Sequence, residues 1–390
     1  MEQIMNKALS GLTVKKLAAL VLLLILAGTP PLFAIDVKVT RPEFSFRGGP
    51  GGFANFDKIF NEAVKDIFDE IQNEINDEIK DIDANPTKLI GAFANSSVFA
   101  SDGATSRGYR GYKTFAVTLG PMAGVQLPFS PLSFADEMDN IEDKLEAERD
   151  LKLGVNPQVA NIQIGINTSK FLLKNLYLGV KFGFMKLDIE DVSFKTFSAG
   201  LTGNYQWVPR KSVGFGVLQW RGVNLGTGVI YQRTSLGYDF ALDPYEEDIT
   251  VDNGLGLSYA MTATLKPKLN LDFNINTVTV PLEIMTSVRL LWIINLAFGA
   301  GIDLGFGSAK LDVGATADAY VDTKELSQYV TQTKPASLSV SMGGSQRPRF
   351  FNPKLMTGLG ISLGPVIIDI PVTFYLDNGY NVGFTLGAVW

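Results

Sequence analysis

The chain has 390 residues and a formal charge of -6, with 46% apolar and 19% charged residues, too apolar for disorder and long enough for one large domain or two ordinary ones. It contains no Cys and no His, which excludes disulfides, thiolate metal sites, a cysteine-borne lipid anchor, histidine zinc sites and every hydrolase built on an imidazole base. The acidic balance argues against nucleic acid, which needs a basic surface.

Lys7, Lys15 and Lys16 precede an apolar run over 17–28, and Thr29, Pro30 and Pro31 lead to Leu32, Phe33 and Ala34. That order predicts a secretory signal peptide over 1–34, cleaved after Ala34. An uncleaved anchor competes, but the run is shorter than the ~20 residues a spanning helix needs. Residues 278–302 are also apolar, yet they contain Pro281, Glu283, Arg289 and Asn295 and alternate in twos, so no transmembrane helix is expected in the mature chain.

An N-terminal segment, 35–110, comes next. After Gly48, Gly49, Gly51 and Gly52, the residues Phe53, Phe56, Phe60, Val64, Ile67, Ile71, Ile75, Ile79 and Ile82 recur at three and four, predicting an amphipathic helix over 53–84 with a strongly acidic opposite face. Asn85 and Pro86 end it. Three roles compete: a plug inside a barrel, a cap at its periplasmic mouth, or a coiled-coil arm, the last disfavoured by drift from a heptad. The acids lack the spacing of a calcium loop, so no metal is expected.

From 111 to 390 the pattern is strands, interrupted by a short acidic helix at 132–151 (Phe134, Met138, Ile141 and Leu145 on one face). The strands read as inverted. Leu176, Leu178, Val180, Phe182 and Phe184 oppose Gly179, Lys181 and Gly183, and Phe298, Ala300, Ile302 and Leu304 oppose Gly299, Gly301 and Asp303. A soluble sheet seldom turns glycine to water and large apolar residues to its core in strand after strand. The prediction is an all-β fold, a transmembrane antiparallel up-and-down barrel of about 12 strands (12–14), because backbone groups in lipid must all be bonded internally. Phe298, Ile302 and Phe384 buried together in a soluble core would overturn it.

Long connections at 127–157, 240–255 and 322–352 are expected on one side of the membrane, and short turns near 169–174, 208–214, 276, 307 and 365 on the other. Tyr205 and Trp207 suit an interfacial girdle, and Asp377, Asn378 and Gly379 a tight hairpin of the type that favours Asn-Gly. Inward candidates for a lumen lining are Lys181, Glu283, Arg289, Asp303, Asp312 and Asp318. Carboxylate pairs, Asp312 with Asp318 or with Asp303, are weighed against the plainer reading of a polar wall. Inward glycines such as Gly179, Gly183, Gly299, Gly301, Gly305, Gly383 and Gly387 leave room for an open path or an inserted element.

The signal sequence, strands of this length and a last strand ending Phe384…Trp390 resemble the bacterial outer-membrane β-barrel class. The resemblance implies residence among outer-membrane lipids and an assembly machinery that reads Phe384 and Trp390. The run Phe99-Ala100-Ser101-Asp102-Gly103-Ala104-Thr105-Ser106-Arg107-Gly108 also resembles the hatch region of the long-chain fatty-acid transporter family, although that family's Asn-Pro-Ala signature is missing. The functional expectation is a barrel admitting small solutes, hydrophobic ones included, with no enzyme activity and no cofactor. The alternative is a surface-exposed adhesin or interaction protein anchored by a sealed barrel.

Overall fold

The structure, a computed structural model, describes residues 34–40, 43–46, 73, 87–101, 112–128, 152–189, 191–213, 217–241, 243–252, 258–322 and 330–390. The signal peptide expected over 1–34, apart from Ala34, the acidic helix expected at 53–84, apart from Asn73, and the loop helix expected at 132–151 lie outside the described residues.

Strands β1 (Ala34–Thr40) and β2 (Glu43–Phe46) precede helix α1 (Thr87–Ser101). There follow β3 (Phe115–Gln126), β4 (Gly154–Asn167), β5 (Leu176–Ile189), β6 (Val192–Val208), β7 (Lys211–Val213), β8 (Leu218–Ala241), β9 (Tyr245–Asp252), β10 (Ser258–Leu290) and β11 (Ile294–Asp322). The last are β12 (Val330–Lys334), β13 (Ala336–Gln346), β14 (Phe351–Leu363), β15 (Val366–Tyr375), β16 (Gly379–Gly383) and β17 (Thr385–Val389).

The chain divides into two compact units, one of 86–237, 273–311 and 344–390, the other of 1–85, 238–272 and 312–343. In the first, hydrogen-bonded neighbours run β3, β4, β5, β6, β8, β10, β11, β14, β15 and then β16 with β17, which pair back onto β3. The ring closes. Val389 pairs with Ala116 and Gly379 with Gln126, so the last strand seals the seam along its whole length. Closure leaves no row of unpaired N–H and C=O groups facing lipid.

The faces are inverted as expected. Phe298 is 53% exposed and Phe384 46%, while Asn295, Asp303, Asn381 and Thr385 are buried. Leu178, Phe182, Phe197, Leu201, Leu359 and Ile370 join the exposed apolar face. Such a face is stable only against hydrocarbon, so this ring is a transmembrane β-barrel. Its four tryptophans gather toward one rim: Trp207 near the end of β6, Trp220 near the start of β8, Trp292 in the turn after β10, and Trp390 stacked on Phe115 with centroids 4.3 Å apart. Tyr112 meets Tyr177 edge-on at the same rim. An aromatic belt at the membrane interface has this composition.

Some expectations are corrected. Breaks near 275–277 and 307–310 do not occur, and β10 and β11 run through them for 33 and 29 residues. Ile275 and Thr277 keep the period of two, and Gly307, at φ 128°, absorbs the irregularity against the Asn276 carbonyl, where a Cβ would not fit. The loop expected at 322–352 contains β12 and β13, that at 240–255 contains β9, and β4 starts at Gly154, inside the connection expected at 127–157. In β13 the Ser/Thr-rich composition hides an alternation in which Leu338, Val340 and Met342 are buried. The 377–379 hairpin is a three-residue loop, since Tyr375 pairs with Gly379 and only Asn378, at φ 59°, is left-handed; a type I turn followed by one left-handed residue suits that length.

The second unit is built from β-pairs as well. β1 lies antiparallel to β13, from Ala34 opposite Gly343 to Thr40 opposite Ser337. β2 pairs with β12, and β9 with Ser258 to Leu265 at the start of β10.

Because successive ring strands are antiparallel, β3, β8 and β11 run in one direction, and each is followed by a long connection: 127–153, 242–257 and 323–350. The opposite rim has the turns after β4, β6, β10 and β14 and both ends of the barrel, where Thr114 N–H donates to the Trp390 carbonyl at 2.6 Å.

Two substitutions check this reading. Leu201→Arg places a charge on an outward position that is 65% exposed, and should destabilise the barrel in lipid vesicles by about 2–4 kcal/mol, measured by urea titration of tryptophan fluorescence. Asn378→Val should cost about 1–2 kcal/mol in the same titration, because a β-branched residue must hold the left-handed conformation, whereas Asn378→Gly should leave stability within about 0.5 kcal/mol of the parent.

Candidate functional site

The inward face of the ring is polar, and its contents define what the barrel can do. On β4, Asn156, Gln158, Asn161 and Gln163 are buried although none lies against a core in the soluble sense. Their amides reach strands that are not their neighbours. Asn156 Nδ2 donates to Thr234 Oγ1 at 2.8 Å, Gln158 Nε2 to Gln232 Oε1 at 3.0 Å, and Gln232 Nε2 to Asn156 Oδ1 at 2.9 Å. Ser198 and Asn161 donate to Gln158 Oε1, and Thr196 shares a hydrogen with Thr234 at 3.0 Å. β4 and β8 are separated in the sheet by β5 and β6, so these bonds cross the interior. Gly183 of β5 permits the crossing, since a Cβ there would overlap the Gln158 amide and the Ser198 hydroxyl.

Opposite that network lies a buried charge cluster. Lys354 on β14 donates to Glu283 Oε1 on β10 and Asp303 Oδ1 on β11, both at 2.6 Å, and Tyr375 on β15 donates to Asp303 Oδ2 at 2.7 Å. Lys354 and Asp303 side chains are fully buried and Glu283 nearly so. The cluster staples four consecutive strands from the inside. In a low-dielectric setting an ammonium held by two carboxylates is strongly attracted, and it needs them, because any one charge left alone there would cost several kcal/mol.

Helix α1 lies inside the ring. At 1.5 Å per residue its 15 residues span about 22 Å, close to the ~25 Å apolar band of such barrels. It meets β3, β4, β5, β10, β11, β15 and β16. Phe99 stacks on Tyr375 at 3.9 Å between centroids, and Phe93 meets Phe273 of β10 edge-on at 4.9 Å. Ser97 and Ser101 hydroxyls bond Thr277 and Thr279 of β10 at 2.8 and 2.5 Å. Asn95 bonds Gln126 of β3, Asn381 of β16 donates to the Phe99 carbonyl, and Lys181 Nζ of β5 donates to the Ser101 carbonyl at 2.6 Å. This last bond satisfies a C-terminal carbonyl that the helix leaves open and puts a cation at its negative end. Backbone contact is equally close: a Cβ on Gly124 of β3 would overlap Ala100 and Ser96, and one on Gly154 of β4 would overlap Ala92.

At the outer end of α1 a cleft is lined by Lys88, Gly91, Asn95, Gln126, Lys152 and Arg349, with the 377–378 turn. Arg349 is paired with Asp377, and partial burial lowers its pKa from the ordinary guanidinium value.

Of the six lumen candidates, Lys181, Glu283 and Asp303 are inward and buried, and two of them meet in the charge cluster. Arg289 is half-buried near the end of β10, and Asp312 and Asp318 are half-buried in the part of β11 that belongs to the other unit. The proposed carboxylate pairs do not form at Asp303, which binds Lys354 and Tyr375 instead. Asp312 and Asp318 are six residues apart on one strand, about 20 Å at the rise of a β-strand. Phe384 and Trp390 are exposed on the outer face. Lys354, Tyr375 and α1 escaped the sequence reading. The inward parity of Lys354 with two acids on neighbouring strands was a usable signal, as was the run of small residues in 91–101.

A closed antiparallel ring with an apolar exterior and an occupied polar interior defines an outer-membrane β-barrel with an internal helix. The chain belongs to the Lsa36-like family, whose model matches residues 54–390. No curated protein matches it. Among solved structures it is similar to the CymD monoaromatic hydrocarbon channel, at 8% identity and a TM-score of 0.25 over 77% of this chain and 97% of that one. It is also similar to the translocator domain of the autotransporter NalP from Neisseria meningitidis, at 9% identity and a TM-score of 0.25 over 74% and 92%, and to the P. putida toluene transporter TodX, at 8% and 0.19 over 77% and 92%. Likeness at this level bears on neither solute nor partner.

Breaking the charge cluster should be costly. Lys354→Met leaves two buried carboxylates facing each other and should lower stability by about 3–5 kcal/mol, read in the same urea titration. Restoring neutrality with Glu283→Gln and Asp303→Asn in the Lys354→Met background should recover a large part of that loss.

Proposed function

We propose that the protein is an outer-membrane anchor, a barrel kept closed from within, whose outer connections and N-terminal segment meet partner molecules at the cell surface. The observation that supports this is the placement of α1, which touches β3, β4, β5, β10, β11, β15 and β16 from inside the ring. A polar network among β4, β6 and β8 crosses another part of the interior. In this reading Lys181, Glu283 and Asp303 serve to hold the lumen filled, and Arg289, Asp312 and Asp318 are polar wall. Phe384 and Trp390 present the last strand to the assembly machinery.

Admission of small solutes, hydrophobic ones included, is the second reading. It draws on the neutral hydroxyl contacts that hold α1 to β10, which can part without stranding a charge. The hatch-like run beginning at Phe99 belongs to it. Conductance across planar bilayers separates the two. The full chain should show no steady conductance, and Gly124→Leu, whose side chain must displace the backbone at Ala100, should open steps of conductance. Steady ion flow through the unaltered protein would reject the anchor.

A further inference from the structure

The direction of α1 inside the ring fixes which way the chain enters the barrel. Its first turn stands beside Gln126 at the end of β3, the 377–378 turn and Lys152, at the rim from which the connections 127–153, 242–257 and 323–350 leave. Its last residue lies deeper, bonded to Lys181 and Thr279. Eleven residues further on, at Tyr112, the chain is on the rim that holds Trp390. The helix therefore runs from the long-connection rim toward the other.

A second observation points the same way. β1 is hydrogen-bonded to β13 over seven residues, and β2 to β12; both partners belong to the 323–350 connection. In barrels of this class long connections face outward and short turns face the periplasm. We propose that residues 35–40 and Glu43–Phe46 are displayed on the outer face of the membrane, and that α1 belongs to the stretch of chain joining them to a barrel whose own ends lie on the periplasmic side. This rests on the anchoring reading and names the part of the chain that is presented.

The chain has no Cys, so single thiols report sidedness directly. Lys38→Cys, Arg347→Cys and Lys113→Cys replace exposed side chains in β1, in the 323–350 connection and at the start of the barrel. Treating intact cells with a membrane-impermeant maleimide should label Lys38→Cys as fully as Arg347→Cys, and should label Lys113→Cys only after the outer membrane is permeabilised. Protection of Lys38→Cys on intact cells in which Arg347→Cys reacts overturns the proposal, as does labelling of Lys113→Cys with Arg347→Cys protected. Conductance is a separate reading, so a leaky barrel with an exposed Lys38→Cys would reject the anchor and keep the topology.

Discussion

A barrel wall that gives its apolar side chains to hydrocarbon must satisfy its polar side chains inside. Lipid offers no hydrogen bonds, so the backbone closes into a ring, and closing the ring turns every second residue toward an enclosed space. What fills that space is the central fact of this molecule. Glutamine, asparagine, threonine and serine from β4, β6 and β8 reach across to one another on one side, and a lysine between two carboxylates holds the other. Between them stands a helix rich in small residues.

These elements are held with unequal strength. The Lys354 cluster is charged, buried and tied to four strands, so removing any member exposes the others to a medium that cannot solvate them. The α1 contacts are mostly neutral: hydroxyl pairs to β10, ring stacking on Tyr375, and close backbone approach over glycine. A charged contact, Lys181 to the Ser101 carbonyl, sits at the helix end where the dipole favours it. A force that acts on the interior would therefore move α1 before it disturbed the wall, which is why the helix decides between a sealed barrel and a gated one.

The asymmetry between rims links the fold to function. All four tryptophans gather toward the rim of short turns, while the other rim carries the long connections and the strands that pair with the N-terminal residues. In the proposed topology the chain passes through the interior between its N-terminal strands and β3, and α1 occupies that route.

Much of the wall was legible in the order of residues. A period of two is local, so the outward row of Phe182, Phe298 and Phe384 and the inward placement of Lys181, Glu283 and Asp303 followed from parity alone, as did the grouping of long connections after strands of one direction. The helix was not legible. A periodicity reading looks for one apolar stripe against one polar face, and α1 has neither, being covered on several sides by different strands. The strand breaks were misjudged because proline and glycine in a long ribbon can bend it without ending it, as Gly307 does. Nor could parity say that Lys354 would stand between Glu283 and Asp303, or that Gln158 would meet Gln232. Which inward residues touch depends on how far the strands slide past each other and how sharply the ring curves, and those quantities exist only once the ring is closed.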